Sequence, residues 1–158
     1  MTFQMPVRIP TKIMKLAHFK GQLPQYKSTW ASGFDVCAQL DQRMTLQPGQ
    51  RAMIPTGLSF EIPQGFEIQA RPRSGLAAKQ GISIVNTPGT IDSDYRGEVK
   101  IILINLGQQP FEICDQDRIA QLVIAPVYQA DFELVTELSG SERGAGGFGS
   151  TGISQPNA

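Results

Sequence analysis

Over residues 7–135 the chain is a series of short apolar or alternating runs separated by turn signals. Residues 34–38 (FDVCA) are rich in β-branched and aromatic types. Residues 44–46 lead into Pro48-Gly49, and 51–54 and 58–62 follow. Pro63-Gln64-Gly65 marks another turn, after which 66–70 (FEIQA) alternates with period two, the pattern of a half-buried strand. Residues 99–106 (VKIILINL) and 119–127 (IAQLVIAPV) are more continuously apolar, as expected for strands buried on both faces. Turn signals recur at roughly the 8–12-residue spacing of a sandwich or barrel. The pattern predicts a mainly β domain.

One segment breaks it. Residues 74–81 (SGLAAKQG) open on a serine suited to an N-cap, continue in helix formers and end on a glycine suited to stop a helix. They predict one short helix near 75–80. Residues 139–158 hold six of the 16 glycines and, as large apolar residues, only Phe148 and Ile153, so they read as a flexible C-terminal tail. The domain plan is therefore 1–138 as a β domain and 139–158 as a Gly-rich tail, with no internal repeat.

Composition narrows the chemistry. The 16 glycines and 11 prolines argue against a long helical bundle, and 41% hydrophobic residues argue against a disordered polyelectrolyte. Fourteen basic residues balance 14 acidic ones, which excludes the basic excess of a nucleic-acid polymer binder. His18 is the single histidine, so two-histidine zinc sites and His-pair acid/base schemes are excluded within one chain. Cys37 and Cys114 read as two buried, reduced thiols, with a disulfide between them left open. No apolar run reaches 18 residues and the N-terminus lacks a signal-peptide pattern, so the expectation is a cytoplasmic protein without membrane attachment.

Three segments carry candidate chemistry. In 143–152 (RGAGGFGSTG) the letters of G-x-G-x-x-G occur, but the chain ends too soon for a dinucleotide fold, and no Walker lysine is present. Unobstructed backbone N–H groups, two hydroxyls, Arg143 and Phe148 suit phosphate oxygens and one planar base; a plain glycine linker is the alternative. Arg71-Pro72-Arg73-Ser74-Gly75 precedes the short helix and reads either as an anion site or as an ordinary cap with solvated arginines. Residues 86–98 (NTPGTIDSDYRGE) read as a hairpin with a Pro-Gly turn. Its acids and tyrosine are either loop polarity or a general base beside a sugar-facing ring.

Taken in order, 31–36 (ASGFDV), 72–77 (PRSGLA), 86–98, 117–122 (DRIAQL) and 143–152 resemble the five motifs of the trimeric dUTP nucleotidohydrolases (dUTPases), over roughly residues 7–152. The resemblance implies an all-β, jelly-roll-like barrel or sandwich of the β-clip type. It also implies a homotrimer with three shared active sites, the tail of one subunit closing over a site formed by the other two.

Carried over to this sequence, the resemblance gives Asp92 the role of general base on the attacking water and gives Gln121 a contact near the α-phosphate. Arg73, Ser74 and Gly75 become phosphate contacts. Asn86, with the neighbouring backbone of Thr90 and Ile91, becomes the uracil reader, and Tyr95 the ring beneath deoxyribose that excludes a 2′-hydroxyl. Arg143, Gly149 and Ser150 clamp the γ-phosphate and Phe148 stacks on the base. The cofactor implied is Mg2+, with no direct protein ligand: substrate phosphates and water hold it, and Asp35 reaches it through water. Asp94 and Arg118 receive no catalytic role, a structural ion pair or hydrogen bond being the expectation for each. Gln116 stands where the family usually has glycine, which predicts an altered turn.

The implied reaction is dUTP plus water to dUMP and pyrophosphate. A dCTP deaminase shares the implied fold, but lacks the tail motif and uses a glutamate where this chain has Asp92. A non-catalytic nucleotide-binding module would be expected to have lost Asp92, Tyr95 or the tail, and all three are present.

Overall fold

The computed structural model describes residues 6–147. The chain divides into two units, 1–128 and 129–158. Eleven strands and one helix are assigned among the described residues. In chain order they are β1 (Lys12–Lys15), β2 (Phe34–Cys37), β3 (Met44–Leu46), β4 (Arg51–Pro55), β5 (Leu58–Glu61), β6 (Phe66–Arg71), α1 (Ser74–Gln80), β7 (Ile82–Ile84), β8 (Gly89–Ile91), β9 (Lys100–Asn105), β10 (Phe111–Ile113) and β11 (Arg118–Pro126).

All pairings are antiparallel. The largest sheet has the order β2-β11-β6-β8, a second has β4-β9-β7, and β1-β5 and β10-β3 form two-stranded ribbons. The period-two pattern does what the sequence predicts. Val36 from β2, Ile68 from β6 and Leu122 from β11 turn inward to meet Ile54, Ile82, Ile101 and Leu103 of the second sheet in one core cluster. Each such side chain contributes roughly 1.5–3 kcal/mol by leaving water. Among the described residues, Gln39, Thr56, Ser59 and Asn105 are the polar ones buried with them. Asn105 donates to the Leu46 and Gln109 carbonyls, both at 2.8 Å, and Thr56 Oγ1 donates to the Val99 carbonyl at 2.6 Å. The result is the all-β, jelly-roll-like architecture with one short helix.

Several details differ from the sequence reading. The helix starts at Ser74, not after it: Arg73 takes the capping position with extended backbone and no side-chain cap, since a guanidinium has no acceptor to offer the first N–H groups. The helix ends at Gly81, whose φ of 70° is left-handed and whose N–H returns to the Ala77 carbonyl at 3.1 Å. Residues 86–98 do not form one hairpin. β7 pairs with β9 and β8 pairs with β6, so the Pro-Gly turn carries the chain from one sheet to the other. Turn chemistry marks where a chain bends, whereas long-range pairing decides which strands it joins.

β9 is buried on one face only. Ile101, Leu103 and Asn105 lie in the core, while Ile102 and Ile104 remain half-exposed on the outer side. Cys37 is half-buried and Cys114 exposed, and both thiols are free, so only the reduced state matches the expectation for the pair. Gln116 sits in the turn with a left-handed φ of 68°, a conformation that favours glycine. Its backbone N–H bonds the Ala38 carbonyl at 2.9 Å and its side-chain amide bonds Gln39 Oε1 at 3.1 Å, which offset the ~1–2 kcal/mol that this conformation costs a residue with a Cβ. No helix among the described residues is long and apolar enough to cross a membrane.

Candidate active site

Strand register decides which polar side chains meet. β11 lies between β2 and β6, with Gln121 opposite Asp35 on one side and Arg71 on the other. Directly opposed residues point to the same face, so these three share the outer face of the sheet, while Phe34, Leu122 and Ala70 turn to the other. Gly33 makes the close approach possible. A Cβ there would stand 2.7 Å from both Gln121 Cγ and the Leu122 carbonyl oxygen.

Asp35 is the hub of this cluster. Its Oδ2 accepts from Arg118 Nη1 at 3.1 Å and lies 3.3 Å from Arg73 Nε. Arg73 Nη1 in turn donates to the Arg118 carbonyl at 3.1 Å, which locks the segment before α1 onto β11. The Asp35 side chain is only 16% exposed, so solvent screens the two ion pairs less than it would surface pairs. Arg118 thus has the structural ion pair expected of it. Asp35 Oδ1 has no protein donor among the described residues and can accept from a water.

Cys37 lies beside the same charges. Burial and the Asp35 carboxylate push its thiol up, against the opposing pull of Arg118 and Arg73, which disfavours the nucleophilic thiolate. It lines, with Leu23, Pro24, Gln116 and Arg118, a hollow of about 160 Å³ that shares Asp35 with the arginine cluster.

A second cluster forms at the other edge of the sheet. Asn86, Gly89, Thr90 and Ile91 line a cavity of about 60 Å³ together with Ala70 and Ile84. Three residues expected to read a base therefore do come together. The Asn86 amide stands above β8, its Nδ2 3.2 Å from where a Gly89 Cβ would project.

Asp92 and Tyr95 follow in the turn between β8 and β9. Asp92 is exposed, with no side-chain hydrogen bond among the described residues. Tyr95 is 47% exposed and its hydroxyl donates to the Glu98 carbonyl at 3.0 Å. Asp94 likewise shows no side-chain partner among the described residues, so the bond expected of it is not seen.

Asp35 on β2 and the Asn86 cavity beside β8 lie at opposite edges of the four-stranded sheet, three strand spacings or roughly 14 Å apart, whereas Gln121 stands on β11 and Arg73 follows β6, the strand that pairs with β8. Ser74 and Gly75 lie exposed at the start of α1, and a Cβ at Gly75 would meet nothing within 4 Å. Nothing in the surrounding fold requires a glycine at 75, although in a helix it costs ~1 kcal/mol relative to alanine. In the second unit, Arg143 Nε donates to the Gly146 carbonyl at 2.7 Å. The roles expected of Phe148, Gly149 and Ser150 lie outside the described residues.

The pairing of His18 with Glu98 was not foreseen. Nε2 and Oε1 are 2.8 Å apart across 80 sequence positions, and no local pattern announces such a contact.

Comparison with known proteins gives these clusters a context. The family model dUTPase matches residues 20–152. A deoxyuridine 5'-triphosphate nucleotidohydrolase of Bdellovibrio bacteriovorus is 70% identical over 145 residues, covering 92% of this chain and 97% of the relative. Another, from Rhizobium rhizogenes, is 54% identical over 156 residues, covering 97% of this chain and all of the relative. Among solved structures, the Staphylococcus bacteriophage 80alpha dUTPase with dUPNHPP superposes with a TM-score of 0.81 at 26% identity, covering 91% of this chain and 99% of that one. Fold and relatives together define a jelly-roll-like nucleotide hydrolase. The chain belongs to the dUTPase family, and its activity is that of a dUTP diphosphatase.

Proposed function

We propose that the chain converts dUTP to dUMP and pyrophosphate by in-line attack of water on the α-phosphorus with magnesium assistance, limiting uracil in DNA and supplying dUMP for dTMP synthesis. The observation that carries this reading is the order of groups along β8. Asn86, Thr90 and Ile91 line one pocket, and the exposed Asp92 and Tyr95 come next in the adjoining turn.

In this reading the Asn86 pocket receives uracil. Cytosine exchanges donor and acceptor at its 4-position and would leave a buried group unpaired, which costs ~1–3 kcal/mol. Tyr95 packs under the deoxyribose and leaves no room for a 2′-hydroxyl. Asp92, with no competing side-chain partner among the described residues, accepts the proton of the attacking water, a contribution of ~10²–10⁴ in rate.

Arg73, Ser74, Gly75 and Gln121 hold the phosphates. The glycine that the fold itself does not require supports close backbone approach by a phosphate at Gly75. The negative charge of the triphosphate repels a nucleophile, and positioning and charge neutralisation dominate such reactions. Magnesium, when bound to the triphosphate, supplies further neutralisation. The fit to this chain is indirect: no group of three or more His, Cys, Asp or Glu that could hold a metal occurs among the described residues, while Asp35 Oδ1 can accept from a metal-bound water. Arg143, Phe148, Gly149 and Ser150, in a tail spanning 139–158, close over the γ-phosphate and the base.

Completing one site takes more than one chain in this reading, as the resemblance to the trimeric family implies. The outer face of the β4-β9-β7 sheet supports a homotrimer. Met53 and Val85 are exposed there and Ile102 and Ile104 half-exposed, an apolar surface that a subunit contact would cover. The substrate is drawn from the nucleotide pool, which supports a cytoplasmic location.

The test is pyrophosphate release from dUTP, dCTP, dTTP and UTP, with and without magnesium, for the wild type and Asp92→Asn. The variant is expected to keep nucleotide binding and lose at least ~100-fold in turnover. Near-wild-type turnover would remove Asp92 as the base, and ammonia release from dCTP would replace the reaction itself.

A further inference from the structure

The turn that carries Asp92 and Tyr95 is held mostly by its own backbone. The Tyr95 N–H donates to the Asp92 carbonyl at 3.2 Å, and Arg96 Nη1 donates to the Ser93 and Tyr95 carbonyls at 2.6 and 3.1 Å. The Tyr95 ring lies over Gly97, where a Cβ would stand 2.6 Å from Cζ. None of these contacts fixes the turn to the body of the domain.

Glu98 does. Its Oε1 accepts from the Gly57 N–H at 2.8 Å and faces His18 Nε2 at 2.8 Å, while Oε2 lies 3.6 Å from Lys100 Nζ. An ionised carboxylate only accepts, so His18 Nε2 is the proton donor in this pair. The side chain is 13% exposed, and its three partners come from the segment after β1, the β4–β5 turn and β9. The backbone carbonyl of the same residue receives the Tyr95 hydroxyl. One residue thus joins the domain body, through its side chain, to the Tyr95 ring, through its carbonyl.

We infer that Glu98 is a positioning residue for sugar discrimination: the clasp of Gly57, His18 and Lys100 on its carboxylate fixes the carbonyl that anchors Tyr95, and so sets the ring that excludes a 2′-hydroxyl. The inference rests on the proposed role of Tyr95. A ring displaced by a fraction of an ångström still packs under a sugar but no longer closes the space beside C2′.

The test compares kcat and KM for dUTP and UTP in full-length Tyr95→Phe, Glu98→Ala, their double variant, Glu98→Gln and His18→Ala, with Tm recorded for each. Tyr95→Phe and Glu98→Ala are each expected to lower the dUTP-over-UTP ratio of kcat/KM about tenfold, chiefly by improving use of UTP. The double variant is expected to lose no more than either single one, because both cut the same link. Glu98→Gln retains an acceptor for the Gly57 N–H and is expected to keep most of the ratio.

An unchanged ratio in folded Glu98→Ala, whatever its Tm, would overturn the inference, as would additive losses in the double variant. Where Glu98→Ala does not fold, His18→Ala, at a half-exposed side chain, decides instead. A loss of about threefold supports the link and an unchanged ratio refutes it. Tyr95→Ala separates the two levels: if it leaves the ratio intact, the role of Tyr95 itself fails.

Discussion

Asp35 and Arg118 lie 83 positions apart in the sequence and 3.1 Å apart in the fold, and Arg73 joins them from the segment before α1. A half-buried carboxylate between two guanidinium groups holds both in place and cancels their mutual repulsion. Asp35→Asn removes that charge and leaves the arginines facing each other, at an expected cost of about 1–3 kcal/mol. Thermal unfolding should show the lower Tm. Kinetics should show a raised KM for dUTP, because Arg73 is no longer held toward the phosphates; an unchanged KM would contradict its proposed role.

Gly33→Ala addresses the same region through packing. The new Cβ would meet the Leu122 carbonyl and Gln121 Cγ at 2.7 Å, and a carbonyl inside a strand pair has nowhere to go. Overpacking of this kind costs about 1–3 kcal/mol. The variant should unfold at lower temperature and turn over dUTP more slowly, because Gln121 is displaced. Wild-type behaviour in both measurements would show that β2 can move aside.

Glu98 gives the protein a defined acid limb. Burial raises its pKa, but the hydrogen bonds from His18 and the Gly57 N–H and the charge of Lys100 outweigh burial, and the carboxyl lies below its ordinary value of 4.5. A folded-state pKa below the unfolded one means the folded protein binds fewer protons, so the contribution is complete above the unfolded value. It is lost as pH falls through the folded one. The Tm difference between wild type and Glu98→Gln should therefore be full near neutral pH and close progressively below about pH 4.5. A gap that persists undiminished into strong acid would show that the charge of Glu98 adds nothing.

The apolar outer face of the β4-β9-β7 sheet supplies a test of assembly. Ile102 lies at its centre on β9, half-exposed, opposite Met53 of β4. Ile102→Glu should leave the inner core intact and burden any subunit contact with a charge. The expected result is a folded monomer by light scattering, with dUTP turnover lowered both by loss of the proposed assembly and because Ile102 itself lines the Asn86 cavity. A trimer of undiminished activity would place the interface elsewhere.

Much of this molecule was legible before its fold was known. Period-two runs such as 66–70 gave strands where strands occur, and the glycine at 81 stopped the helix where it stops. The resemblance carried by five short motifs led to the family. Less legible was anything that depends on which strands pair. The segment 86–98 has the letters of a hairpin, yet it holds one strand, β8, which pairs with β6, while β7 just before it pairs with β9 in another sheet. The apolar run on β9 looked buried on both sides, because a side that one chain leaves open has the same composition as one it covers. Gln116 showed a departure from the family's glycine, but only the backbone showed that this residue takes a left-handed conformation.

The amino-acid sequence by itself determined the kinds of groups available and their local setting: a carboxylate at 92 next to a turn, an aromatic ring three residues on, an arginine and a glycine where a short helix begins. These follow from alternation, turn residues and spacing, which act within a few residues of one another. Tertiary structure alone decided that Asp35 holds Arg73 and Arg118, that His18 reaches Glu98, and that Asp35 and the Asn86 cavity stand at opposite edges of one sheet. Strand order and register set those distances, and both come from burying apolar faces far apart along the chain.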